Sequence, residues 1–307
     1  MMTNFDRIER LIGSDNLGRL KQMRVGVVGL GSGGGFVALS LAMSGVGKFV
    51  LVDDDVLEAN NVVRHVADGR YVGRPKAEVV AELIKARNPQ AEVDVRVGRI
   101  EQNMDVLENL NILVCGVDGE GPKYVLNQAC LQRNLTAIYA GVYERGDGGD
   151  VVVIRPYNGP CYACWAAELR EGLALSAIAP GEELDYGMIG PDGTLEAEPG
   201  LWLHVARVAS AQADLTLNEL LSGTNAYKKM PANTVIMANT ALEILAGQIS
   251  QPYTAEWVNI DRDPHCLVCG DALRNDLSSE QQPELSLSDL MNEAGLSLLE
   301  DGEDNSK

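Results

Sequence analysis

Three groups of residues in this chain have the types and spacing for chemistry. Gly29-Leu30-Gly31-Ser32-Gly33-Gly34 fits the pattern G-x-G-x-x-G, directly after the apolar run Arg24-Val25-Gly26-Val27-Val28. A glycine turn between a strand and a helix presents bare backbone N–H groups and a helix N-terminus, both suited to a phosphate. Asp53 ends the next apolar run, about 20 residues beyond the turn, where a carboxylate accepts hydrogen bonds from ribose hydroxyls. Its neighbours Asp54 and Asp55 leave open a plain acidic strand end. Arg64, His65, Arg70, Arg74 and Lys76 then fall within thirteen residues. Such local positive charge suits more than one phosphate, or belongs to a solvated basic loop. Asp118, just past Val114-Cys115, falls where open α/β proteins bind ligands, and a carboxylate there can hold Mg²⁺ against a triphosphate.

The third group is cysteine. Cys161-x-x-Cys164 and Cys266-x-x-Cys269 supply four thiolates, the set of a closed tetrahedral zinc site. The 101 residues between Cys164 and Cys266 exceed the loop of an ordinary finger, so the ion would tie distant segments together and its role would be structural. A redox CxxC accounts for one pair and leaves the other idle, and buried free thiols remain a third reading. Cys115 and Cys130 lie in apolar strand and helix contexts, where core packing is commoner than nucleophilic work.

Hydrophobic periodicity predicts the elements that must position these groups. Residues 6–20 read as helix, 24–29 and 49–52 as strands, 76–87 as an amphipathic helix with Val79, Val80, Leu83 and Ile84 inward, and 111–115 as strand. Helix over 121–133 and strands at 136–141 and 151–155 follow. A Gly- and Pro-rich stretch at about 171–200 reads as a loop or crossover. Helices are expected over 201–221 and 234–249, with a closing strand at 257–261. Strand–helix alternation predicts a Rossmann-like, doubly wound, mainly parallel sheet covered by helices on both faces. The expected organisation is one domain over 1–272 and an acidic tail over 273–307. In that tail Leu287, Leu290, Met291 and Ala294 recur at helical spacing, so a short amphipathic helix could dock a partner such as a downstream carrier enzyme, or pack on its own body.

Composition limits the function classes. With 307 residues, 46% apolar and 22% charged, the chain is a globular protein with a substantial core. A net charge of −19 argues against gripping nucleic acid or anionic lipid by bulk electrostatics, so any phosphate must be held locally. Residues 271–307 hold ten carboxylates against two basic residues, so the tail carries much of the excess. The uncharged run 25–47 contains eight glycines, which fits strand, turn and helix better than a membrane span. The opening MMTNFDRIER has no apolar signal core, and a cytoplasmic location is expected.

As a set, VVGLGSGG at 27–34, Asp53-x-Asp55 followed by Asn61-Val62-Val63-Arg64, Gly73-Arg74-Pro75-Lys76, Asp118 and the paired CxxC motifs resemble the ThiF/MoeB superfamily, which includes the ubiquitin-activating enzymes. In order and spacing the resemblance covers nearly all of 7–270. It implies an ATP-dependent adenylyltransferase, usually a homodimer, that activates the C-terminal carboxylate of a ubiquitin-like or sulfur-carrier protein as acyl-adenylate and releases pyrophosphate. Carried over by position, Gly29, Gly31, Ser32, Gly33 and Gly34 would line the nucleotide, Asp53 would bind ribose within the Asp53-x-Asp55 pair, and Asn61, Arg64 and Lys76 would contact phosphates. Asp118 would hold Mg²⁺, and Arg10, with Arg7 close behind, would reach the γ-phosphate from a partner subunit. Two departures stand out. No cysteine lies between 164 and 266, where many members form a thioester, so the reaction is expected to stop at the acyl-adenylate or pass it to an external thiol. His65 stands where a glutamine often follows the motif's arginine. The alternatives are an NAD-dependent Rossmann oxidoreductase, which leaves the basic stretch, Asp118 and the four cysteines unexplained, and a non-catalytic nucleotide-binding partner module.

Overall fold

The computed structural model describes residues 5–174, 200–245 and 247–271. Of the loop or crossover expected at about 171–200, residues 171–174 instead continue a helix and 175–199 lie outside the described residues, as does the tail at 273–307. Among the described residues no helix is long and apolar enough to cross a membrane. In chain order the elements are α1 (Asp6–Ile12), α2 (Ser14–Gln22), β1 (Arg24–Val28), α3 (Ser32–Met43), β2 (Lys48–Asp53), α4 (Lys76–Arg87), β3 (Glu92–Val97), β4 (Ile112–Cys115), α5 (Glu120–Gln132), β5 (Ala137–Val142), β6 (Gly148–Ile154), α6 (Tyr162–Ala174), α7 (Trp202–Leu220), β7 (Thr234–Ala238), β8 (Leu242–Leu245), β9 (Gln248–Ser250) and β10 (Ala255–Val258).

Eight strands form one sheet in the order β10-β7-β6-β5-β4-β1-β2-β3. The run from β3 to β5 is parallel, and β6, β7 and β10 continue it antiparallel. This is the expected doubly wound α/β arrangement with an antiparallel extension. Alternate residues of each central strand feed two separate cores. Val25 and Val27 of β1, Phe49 and Leu51 of β2, and Ile112 and Val114 of β4 pack with α3, α4 and α7. Val28, Val50, Val52, Leu113, Cys115 and Tyr139 pack on the other face with Leu126 of α5 and Trp165 of α6. Burial on both faces explains why these strands read as continuous apolar runs.

The helix expected over 6–20 divides at Gly13, whose φ of +89° is a left-handed conformation that glycine adopts freely. α2 then lies at the amino edge of the sheet, where Arg19 donates to the Leu220 and Ser222 carbonyls at 2.9 and 3.1 Å.

The helix expected over 234–249 is not formed. Thr234–Ala238 is a central strand buried at every position, and Leu242–Leu245 pairs with Gln248–Ser250 as a small hairpin. A fully buried strand has no period-2 signature, so Val235, Ile236, Met237, Leu242 and Ile244 fit a helical stripe equally well. Tertiary hydrogen bonds decide the outcome: the N–H groups of Asn239 and Thr240 donate to the Asp147 carbonyl at 2.8 and 3.2 Å and end the strand. β3 received no assignment from the sequence, although Glu92-Val93-Asp94-Val95-Arg96-Val97 alternates as an edge strand should.

Candidate active site and metal centre

Strand order reverses between β1 and β4, and the crevice outside their carboxyl ends is where open α/β sheets hold ligands. Three glycines shape that crevice. Gly29 has φ +82°, and a Cβ on it would fall 2.6 Å from the Gly116 carbonyl. A Cβ on Gly34, in the first turn of α3, would lie 1.9 Å from the Gly29 carbonyl oxygen. Backbone therefore packs directly on backbone where β1, β4 and α3 meet. Among the described residues Gly31 and Gly33 have no such crowding: nothing lies within 4 Å of a Cβ on Gly31, and only Val205 at 4.0 Å on Gly33. Gly31 is the N-cap of α3, no side chain among the described residues caps that end, and its first turn carries no acidic residue. The amides of Ser32, Gly33 and Gly34 thus form an open, positively polarised helix start, the arrangement that takes an anion.

Asp53 is tied into this turn. Its carboxylate accepts the Leu30 N–H at 2.5 Å and the Asp55 N–H at 2.9 Å. Burial pushes its carboxyl up from the ordinary value, against the pull of those two backbone donors and of Lys76. On the other side of Leu30, His65 Nε2 lies 2.8 Å from the Leu30 carbonyl oxygen while Nδ1 accepts the Ala67 N–H at 3.0 Å. Lys76, buried at the start of α4, pairs with Asp55 at 2.6 Å. Asn61 closes the short 3₁₀ turn at Ala59–Arg64, accepting the Glu58 N–H at 3.1 Å. Arg64, at the end of that turn, and exposed Asp118, two residues past Gly116, make no ion pair or hydrogen bond among the described residues.

The sequence-predicted residues Gly29, Gly31, Ser32, Gly33, Gly34, Asp53, Asp55, Asn61, Arg64, Lys76 and Asp118 therefore all fall at the carboxyl edge of β1, β2 and β4. Arg10 does not. It pairs with Asp6 at 2.7 Å on α1, which contacts α2 at the amino edge and has no buried residue. Sequence reasoning missed Gly116, whose signal was a glycine after the apolar run Ile112–Cys115. It also missed Gln212 of α7, which donates to the Cys115 and Ile138 carbonyls at 2.9 Å each and carried no sequence signal.

The four cysteines converge as expected. Cys161 Sγ lies 3.8 Å from both Cys164 and Cys266, Cys164 lies 3.4 Å from Cys269, and all four sulfurs fall within 4.8 Å of one another. These separations are far too long for disulfides. They lie around the roughly 3.8 Å sulfur–sulfur edge of a tetrahedron with Zn–S of about 2.3 Å, so the donor set and spacing fit zinc. The Val268 N–H points at Cys266 Sγ at 3.4 Å, and a Cβ on Gly270 would lie 2.4 Å from the Cys266 carbonyl. The second knuckle is thus shaped by backbone as well as by thiols. Tyr162 joins this centre to α5: its N–H donates to Asn127 Oδ1 and its hydroxyl to Glu120, both at 2.9 Å. Cys115 and Cys130 are buried in the core, and burial pushes both thiols up to about 12.

Comparison with known proteins points to one family. The profile of the ThiF family matches residues 5–259. A SAMP-activating enzyme E1 of Haloferax volcanii is 32% identical over 206 residues, covering 64% of this chain and 72% of that protein. A probable molybdopterin-synthase adenylyltransferase of Porphyra purpurea is 29% identical over 147 residues, and the match covers 47% of this chain and 38% of that protein. Among solved structures, E. coli MccB with ATP superposes with a TM-score of 0.60 over 87% of this chain and 73% of that one at 22% identity, a likeness of fold.

Proposed function

Because the chain belongs to the ThiF family, we propose that it is an ATP-dependent adenylyltransferase that activates the C-terminal carboxylate of a ubiquitin-like or sulfur-carrier protein. The observation that carries this reading is the pair of charges, Arg64 and Asp118, which have no ion-pair or hydrogen-bond partner among the described residues and lie at the same sheet edge as the start of α3. A dinucleotide oxidoreductase has use for the turn and Asp53 but none for those two charges.

In the proposed reaction an oxygen of the carrier's carboxylate forms a bond to the α-phosphorus of ATP, and the bond from that phosphorus to the α–β bridging oxygen breaks. The products are acyl-adenylate and pyrophosphate. The nucleophile is already an anion, so no side-chain base is required. The amides of Ser32, Gly33 and Gly34 donate to phosphate oxygens, Asp53 receives the ribose hydroxyls, and Arg64, Asn61 and Lys76 offset charge on the phosphates. Lys76 would exchange its Asp55 partner for phosphate as ATP binds. Asp118 would hold Mg²⁺, which when bound neutralises the leaving pyrophosphate. Arg10 lies at the opposite edge of its own protomer, so a role at the γ-phosphate requires a second copy of the chain. Cys161, Cys164, Cys266 and Cys269 would hold Zn²⁺ as a structural ion. With those four engaged and the remaining two thiols buried, the chain has no thiol to take the acyl group, and the reaction is expected to stop at the acyl-adenylate or pass it to an external thiol.

Parallel thermal melts test the reading. A ligand at 100 times its Kd stabilises by about 2.7 kcal/mol, about 5–10 °C for a domain of this size. Mg·ATP is expected to give that shift, with less from ATP in EDTA and none from NAD. Stabilisation by NAD in place of Mg·ATP would return the chain to the oxidoreductases.

A further inference from the structure

The main chain of Leu30, inside the glycine turn, is held at both of its polar groups. Its N–H is taken by Asp53 and its carbonyl by His65, while its side chain is fully buried. Ala67 donates its N–H to Nδ1, so Nδ1 carries no hydrogen and Nε2 carries the one that goes to Leu30. A single neutral tautomer satisfies both contacts. The ring also rests against the first turn of α3, since a Cβ on Gly35 would come within 3.3 Å of Nε2. His65 directly follows Arg64, the cation without a partner among the described residues at the end of its 3₁₀ turn.

Building on the nucleotide-binding reading above, we infer that His65 is a positioning residue: its imidazole locks the Leu30 carbonyl to the 64–67 segment and so fixes the glycine turn relative to Arg64. It touches no reacting atom itself. With the Leu30 N–H and carbonyl both bound within the protein, neither the 29–30 nor the 30–31 peptide is free to rotate toward the ligand, and the amides that follow stay in one arrangement. Ligand binding then pays little to order the turn.

The lock has a pH signature. Burial lowers the pKa of His65 below the ordinary 6.5; the Leu30 carbonyl and Asp53 on β2 oppose this, and Lys76 on α4 reinforces it. Protonation would set an Nδ1–H against the Ala67 N–H, two donors face to face. The lock is therefore complete above the ordinary imidazole value and is lost as pH falls through the lowered value.

The test uses the full-length protein as wild type, His65→Ala and His65→Gln. Ala removes both hydrogen bonds, whereas the Gln amide can both donate and accept. Hydrogen exchange of the ligand-free proteins over residues 24–36 reads the lock, and the Kd for Mg·ATP between pH 5.5 and 8 reads its consequence. We expect His65→Ala to exchange faster at 29–34 and to bind Mg·ATP about tenfold more weakly at pH 7.5, the scale of a lost buried hydrogen bond. His65→Gln should recover most of that affinity and lose the acid-side decline of the wild type. Wild-type exchange and affinity in His65→Ala would overturn the inference, as would an acid decline that persists in His65→Gln. If His65→Ala does not fold, the pH profile of His65→Gln against wild type decides alone. A wild type that fails to bind Mg·ATP would sink the nucleotide reading instead, and the exchange data would still judge the lock.

Discussion

Asp118→Ala and Arg64→Ala, each made alone, are expected to lower ATP–pyrophosphate exchange by about 10³-fold, the scale of removing one fixed charge-stabilising group from a transition state. The melting temperature should stay within about 2 °C of wild type, because surface substitutions away from packing features cost at most about 0.5 kcal/mol. Asp118 is exposed, and neither side chain makes an ion pair or hydrogen bond among the described residues, so neither removal strands a partner. Lys76 is the poorer choice for this test. It is buried at the start of α4 and paired with the exposed Asp55 carboxylate, so Lys76→Ala would remove buried packing and mix lost binding with lost stability. If the loss were uniform binding alone, KM for ATP would rise with kcat unchanged; a transition-state role lowers kcat as well. Exchange within about threefold of wild type in either variant would remove that residue from the site.

Metal loss should give the largest effect on stability. The four-cysteine cluster joins the start of α6 to the segment after β10, pinning residues separated by 101 positions between Cys164 and Cys266. Closing a loop of about 100 residues is worth about 4.7 kcal/mol in the chain-entropy treatment of a crosslink, and about 2–4 °C per kcal/mol applies to a domain of this size. Chelation, or Cys266→Ser, is therefore expected to lower the melting temperature by about 10–20 °C. Nucleotide binding should weaken along with it, because Tyr162, beside Cys161, holds Glu120 and Asn127 on α5, the helix that begins two residues after Asp118. Protein purified without metal, with a melting temperature indifferent to chelator, would leave four buried free thiols and contradict the structural-zinc reading.

The site was more legible than the antiparallel half of the sheet, for a physical reason. A glycine turn after an apolar strand, a carboxylate at the next strand end and paired CxxC motifs are local patterns; the structure ties Asp53 to the glycine turn and draws the four cysteine sulfurs into one cluster. The 234–249 segment lacked any such marker. Its strand is buried on both faces and its end is set by the Asp147 carbonyl, which is remote in sequence. A similar separation hid the double grip on Leu30, since neither Asp53 nor His65 carries a signal that it bonds back to the turn. Gln212 is the extreme case: a polar residue in an apolar-periodic helix reads as solvent-facing, yet it caps two strand carbonyls in the interior.

The most direct measurement is exchange of labelled pyrophosphate into ATP by the purified protein, with a panel of ubiquitin-like and sulfur-carrier proteins presented either with a free C-terminal carboxylate or with that carboxylate amidated. The account predicts Mg²⁺-dependent exchange with at least one free-carboxylate carrier, none with its amidated form, and no reducible adduct on the chain. Tight Mg·ATP binding without exchange for any free carboxylate would contradict it and leave a nucleotide-binding module without adenylation chemistry.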